Sequence, residues 1–145
     1  MKIIKLLLCK RSETSIVLFT IIIILLPGFL HAQTNWNIPK EAAELKNPLA
    51  NNTTGLKDAK VLYTTNCVPC HGAKGKGDGA AASALNPKPS DHSSERVQKE
   101  TDGELFWEIS EGHNPMPEYK GALTETQRWE LVNYIRTLTK TPKKQ

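Results

Sequence analysis

The chemistry in this sequence concentrates in Cys67-Val68-Pro69-Cys70-His71. C-x-x-C-H is the spacing by which a c-type haem is attached. Each cysteine sulfur adds to one haem vinyl group, and the histidine that follows places an imidazole nitrogen under the iron as its proximal ligand. A thioredoxin-like redox pair and half of a zinc site also use C-x-x-C. The first belongs in a βαβ pattern, whereas the flanks here read as helical. The second needs another C-x-x-C or an H-x-x-x-H, and the sequence has neither.

Iron held by His71 keeps one axial position, and its occupant decides whether the site moves electrons or binds a gas. Beyond residue 32 there is one methionine, Met116, framed by Pro115 and Pro117. Prolines on both sides hold the backbone extended, so the thioether is aimed at a fixed point. A lone methionine is otherwise core filler, a role that this polar loop suits poorly. His113, three residues earlier, is the rival ligand, and His92 lies in a segment without pattern.

The elements that must position these groups read as helices. Leu56, Ala59, Leu62 and Tyr63 share a face and predict a helix over 56–66 that runs straight into Cys67. A glycine-rich stretch, 72–79, leaves His71; it matches no phosphate-binding pattern and reads as a loop. Residues 80–85 suit a helical turn, and Pro87-Lys88-Pro89 forces extended backbone after it. Residues 90–100 are polar with little core signal. Thr101 with Glu104, and Thr124 with Gln127, are capping boxes that open two further helices. The first carries Leu105, Phe106 and Ile109 inward, sends Trp107 to another face, and stops at Gly112. The second carries Leu131, Val132, Ile135 and Leu138, with Trp129 and Tyr134 at the edges of the stripe. Upstream, a short helix over 39–46 belongs to an arm whose Trp36 and Ile38 should pack on the rest.

The chain opens as an exported one does. Lys2, Lys5, Lys10 and Arg11 precede an apolar run over 16–26, then Pro27-Gly28 and the small residue Ala32. The run reaches 15 residues at Leu30, short of the about 20 that a membrane span needs, so cleavage after Ala32 is expected rather than retention as an anchor. Removing residues 1–32 from the 145 leaves 113. The whole chain has 19 basic and 15 acidic residues; the leader holds four and one, leaving 15 against 14, a formal +1. The high isoelectric point therefore belongs mostly to the leader, and nucleic-acid binding gains no support. Of three cysteines, Cys9 leaves with the leader and haem would consume Cys67 and Cys70. No spare thiol remains, as suits an oxidising compartment.

The order helix, C-x-x-C-H, glycine-rich loop, proline loop, Met loop, helix resembles a class I monohaem cytochrome c, of the small bacterial periplasmic type, over about Gly55 to Leu138. The resemblance implies an all-α fold of three to five helices around one covalently attached haem c. Its sites would be Cys67, Cys70 and His71, with Met116 as second iron ligand and Pro87 supplying a carbonyl to the His71 imidazole. In the family the first and last helices cross closely, through positions that resemble Ala59 and Tyr63 near Leu131 and Tyr134; alanine replaces the usual glycine. The implied domains are a signal peptide, 1–32, an arm, 33–54, a cytochrome domain, 55–141, and a tail, 142–145. The expected activity is periplasmic one-electron transfer between unidentified donor and acceptor proteins in a respiratory chain, with no bond chemistry. Membrane association would follow only if the leader were retained. The alternatives are a haem subunit anchored in a larger complex and a ligand-binding or peroxidatic haem protein. Lys74, Lys76, Lys88 and Lys120 fall on segments that should border the haem edge, where they would steer an acidic partner.

Overall fold

The computed structural model describes residues 36–139, so the leader and the tail lie outside the described residues. Six α-helical segments and one 3-10 turn occur among them, with no strand beyond a single bridge between His113 and Met116. The helices are α1 (Lys40–Ala43), α2 (Leu56–Asn66), α3 (Val68–His71), α4 (Glu95–Lys99), α5 (Asp102–Glu111) and α6 (Glu125–Thr137); the 3-10 turn is Ala82–Ala84. Three long helices thus carry an all-α fold, and the short ones are single turns at corners. No described helix is long and apolar enough to cross a membrane.

The most extensive helix contact is α2 on α6. Small and aromatic residues alternate on the α2 face: Ala59 is 0% exposed and Tyr63 1%. Leu131 and Val132 of α6 are buried with them, and the Tyr63 and Tyr134 rings meet at 5.0 Å. Both capping boxes form. Thr101 and Thr124 accept from the N–H of Glu104 and Gln127, and those side chains reach back to the cap N–H. Helix α5 stops at Gly112, with φ 64°.

Some elements differ from the sequence expectation. The arm helix spans Lys40–Ala43 rather than 39–46. A helix unforeseen in the polar stretch, α4, is capped by Ser94 and buries Val97, one apolar residue in five and too few to show periodicity. Trp129, placed at the edge of its stripe, is 3% exposed and stacks on Phe106 at 3.9 Å.

The arm packs on the helices. Thr101 Oγ1 donates to the Ala43 carbonyl, at 2.8 Å. Asn47 Nδ2 donates to Asp102 at 3.0 Å and to Asn133 at 2.8 Å, bridging α5 and α6. Arg136 closes the corner between α4 and α5. Its guanidinium donates to the Val97, Gln98 and Glu100 carbonyls and, twice, to Asp102 Oδ1. Arg136→Leu would strand those acceptors and leave the Asp102 carboxylate without its cation. We expect it to cost about 2–4 kcal/mol, read as a lower urea midpoint with an unchanged m-value.

Candidate functional site

Helix α2 ends at Cys67, and the chain turns directly into α3. The N–H groups of Cys70 and His71 both bond the Cys67 carbonyl, at 3.1 and 2.7 Å. Both thiols and the imidazole therefore sit on one turn. The cysteines form no disulfide, and both line a largely apolar cavity with His71. Burial, then the neighbouring Cys70, pushes the Cys67 thiol up to about 12.

Main-chain bonds hold the loop after His71 against this turn: Gly77 N–H to the His71 carbonyl at 2.8 Å, and Gly79 N–H to that of Cys70 at 3.0 Å. The His92 N–H bonds the Gly75 carbonyl at 2.6 Å and pins the following segment alongside. That clamp delivers the Ser90 carbonyl to His71 Nδ1, at 3.0 Å. A carbonyl only accepts, so Nδ1 carries the proton and Nε2 keeps its lone pair. Burial lowers the pKa of His71 and keeps the ring neutral, as metal ligation requires.

Pro87 lines the cavity, but it does not supply the carbonyl expected of it. The chain bends at Asn86–Pro87, and the clamp at His92 brings Ser90, three residues on from Pro87, to the imidazole instead. Behind His71 lies His92, stacked at 4.0 Å with 19° between ring planes. His92 shares a 2.9 Å hydrogen bond with the Tyr63 hydroxyl. Burial holds its pKa well below the usual histidine range. The segment without pattern thus braces the imidazole.

Met116 reaches the same cavity from the far side of the sequence. His113 and Met116 exchange N–H···O bonds of 3.0 and 2.7 Å, closing a tight turn around Pro115 rather than the extended backbone that the two prolines suggest. Both Asn86–Pro87 and Asn114–Pro115 are cis. Tyr119 anchors the loop: its N–H bonds the Ile109 carbonyl at 3.1 Å and its hydroxyl donates to the Asn66 carbonyl at 3.0 Å, one residue before Cys67. His113 also borders the cavity, but it is exposed and its ring rests on Trp36 at 5.3 Å. Trp36 itself lines the cavity and meets Trp107 edge-on at 6.0 Å, so the arm closes over this end.

Leu105, Ile109, Leu131 and Ile135 complete the apolar wall. Among them on α5 is Glu108, which the sequence reading passed over; a carboxylate one turn from Leu105 and adjacent to Ile109 was the available signal. Burial pushes its carboxyl up to about 8, Glu100 and Glu104 add to this, and Arg96 opposes it.

The cavity is open to solvent on one side. Among the described residues no three His, Cys, Asp or Glu side chains converge as a bare metal ion would need. Two free thiols and a neutral imidazole on one turn, a thioether from another segment and an apolar wall fit a covalently held haem.

A family model described as cytochrome c matches residues 56–139. Two solved structures are similar. One, the c-type cytochrome KustC0563, is 26% identical with a TM-score of 0.51, over 57% of this chain and 98% of that one. The other is a chain of the Kuenenia stuttgartiensis reducing HAO-like protein complex Kustc0457/Kustc0458, also 26% identical, with a TM-score of 0.56, over 66% of this chain and 50% of that one. No match was found among curated proteins.

Proposed function

We propose a function from one premise: the chain belongs to the cytochrome c family. Its role is one-electron transfer as a class I monohaem cytochrome c of the bacterial periplasmic type, in a respiratory chain. A haem c bound in the cavity supplies a ferric/ferrous couple. Cys67 and Cys70 hold it by thioethers, and His71 and Met116 are the iron ligands. The Ser90 carbonyl fixes the His71 tautomer, and His92 limits how far the ring can turn. The apolar wall excludes water, and Met116 in place of a second imidazole favours the reduced state. The protein acts as a carrier. Residues 1–32 direct export to the periplasm and are removed; residues 33–54 form the arm, 55–141 the haem domain and 142–145 the tail. One observation carries the reading: Cys67, Cys70, His71 and Met116 all line one cavity. Expression with a haem-attachment system tests it. A pyridine haemochrome shifted as two thioethers require, with a reversible one-electron titration, supports the reading; protein without covalent haem overturns it.

Likeness to a chain of a protein complex favours a second reading, a haem subunit in a larger redox assembly. The mass and N-terminus of the exported protein separate the two. A monomer starting at Gln33 supports the carrier, and a retained leader with co-purifying chains supports the subunit.

Partner docking should involve the cations expected to border the haem edge. Lys120 is paired with Glu111 at 3.0 Å, which removes it from the expected four. Lys74, Lys76 and Lys88 are exposed, and Lys88 lines the cavity. Lys74→Glu with Lys76→Glu should slow second-order transfer to an acidic partner by about tenfold at low salt, flattening its salt dependence while the potential barely moves. Stopped-flow rates over a salt series measure this; a rate indifferent to salt and to both substitutions places docking elsewhere.

A further inference from the structure

Glu108 is the only carboxylic side chain among the described residues lining the cavity. It stands beside Leu105 and Ile109, both buried, on the wall that a haem would face. Its neighbours are already engaged. Arg96 is ion-paired with Glu100 at 2.7 Å, and Glu104 caps its own helix through the Thr101 N–H at 2.5 Å. Among the described residues no cation pairs with Glu108. Glu108 is half-buried; a haem filling the cavity would take its carboxylate out of water, where without a partner it is costly and protonation is the cheapest relief.

We propose that Glu108 is a redox-linked proton site, binding one proton when the haem in this cavity gains an electron and releasing it when the electron leaves. This rests on the haem reading given above. The balance is simple. One electron takes the iron from ferric to ferrous, one proton from solvent bonds a Glu108 carboxylate oxygen, and oxidation reverses both. Ferric iron carries one more positive charge than ferrous iron, so it favours the carboxylate; ferrous iron favours the acid. The pKa of Glu108 is therefore lower in the oxidised protein than in the reduced one. Between the two values the potential falls as pH rises, and outside them it is flat.

Other groups near Glu108 or lining this space are less suited. Arg96, Glu100 and Glu104 do not line the cavity; burial raises the Glu100 carboxyl too, but its Oε1 is paired with Arg96, and Lys88 and His113 are exposed. Burial pushes the Tyr119 phenol up to about 12. His71 has its Nδ1 proton on Ser90, and burial keeps it and His92 neutral. Glu108 is the group that burial has moved toward neutral pH, to about 8.

The test is spectroelectrochemical titration of the holoprotein from about pH 5 to about pH 9, a span that brackets a carboxyl raised by burial. Wild type should show a sloping segment approaching about 59 mV per tenfold change in proton activity. Glu108→Gln should be flat there and sit near the acid plateau of wild type, since an amide mimics the protonated acid. Redox-difference infrared spectra of wild type should gain a protonated-carboxyl band on reduction, shifted in D2O. A flat wild-type potential, a slope that survives in Glu108→Gln, or no such band overturns the proposal. If the variant fails to load haem, the wild-type band decides alone. Haemochrome assays made first keep the two failures apart: absent covalent haem fails the family-based function and takes this site with it, whereas a loaded protein with a flat potential fails this site only.

Discussion

Cys67→Ala with Cys70→Ala should abolish covalent haem and remove most of the protein's cooperative stability. The cavity wall and the core are partly the same residues. Leu105, Ile109, Leu131 and Ile135 belong to the buried cluster that joins α2, α5 and α6, and they also line the cavity. Without the cofactor the side of that cluster that lines the cavity has nothing to pack against. A small domain has little in reserve, so a loss of about 5 kcal/mol or more would exhaust its stability. Haemochrome spectra and thermal melts by circular dichroism read both effects, and Cys67→Ala alone should keep one thioether at most. A stable double variant, fully loaded and with an unshifted haemochrome, would rule out the attachment assigned here.

Met116→Ala should lose the thioether-to-iron charge-transfer band of the oxidised protein, open the iron to carbon monoxide, and lower the potential. A fall on the order of 0.1–0.2 V is a modest part of the ~0.8 V range that axial ligation commands. His113→Ala is the control. Its ring rests on Trp36, and it is exposed where Met116 is half-buried, so its removal should disturb the arm more than the iron. If His113→Ala removes the band and Met116→Ala does not, the iron has two histidines.

The parts legible in the sequence were those written in side-chain identity and period. The bounds of α2 follow from Leu56, Ala59, Leu62 and Tyr63, and both capping boxes from the spacing of Thr101 and Thr124 to their partners. The attachment turn is a motif, and Met116 was exposed by the scarcity of methionine. What escaped was written elsewhere. The contact to His71 comes from a main-chain carbonyl, which every residue has, so nothing distinguishes Ser90 from Pro87 in sequence. His92 matters through stacking, a relation between segments 21 positions apart that neither segment announces. Helix α4 hangs on Val97 and on carbonyls gathered by Arg136, nearly forty residues downstream. Glu108 was visible as a letter, but its meaning depends on which side of α5 faces the cavity.

The clamp around His71 also says where mutation will be tolerated. Selection acts on side chains, and Ser90 contributes none of its own to the imidazole, so residue 90 is free to drift while its carbonyl keeps its task. The constraint is transferred to the residue that makes room. Gly77 has φ 71°, and a Cβ there would strike the Pro89 carbonyl; Gly75, at φ 68°, leaves space for His92 and the Tyr63 hydroxyl. In a saturation library scored for haem retention, position 90 should accept most substitutions and positions 75 and 77 almost none. The residue that orients the imidazole would then look neutral, and two glycines that do not line the cavity would look essential.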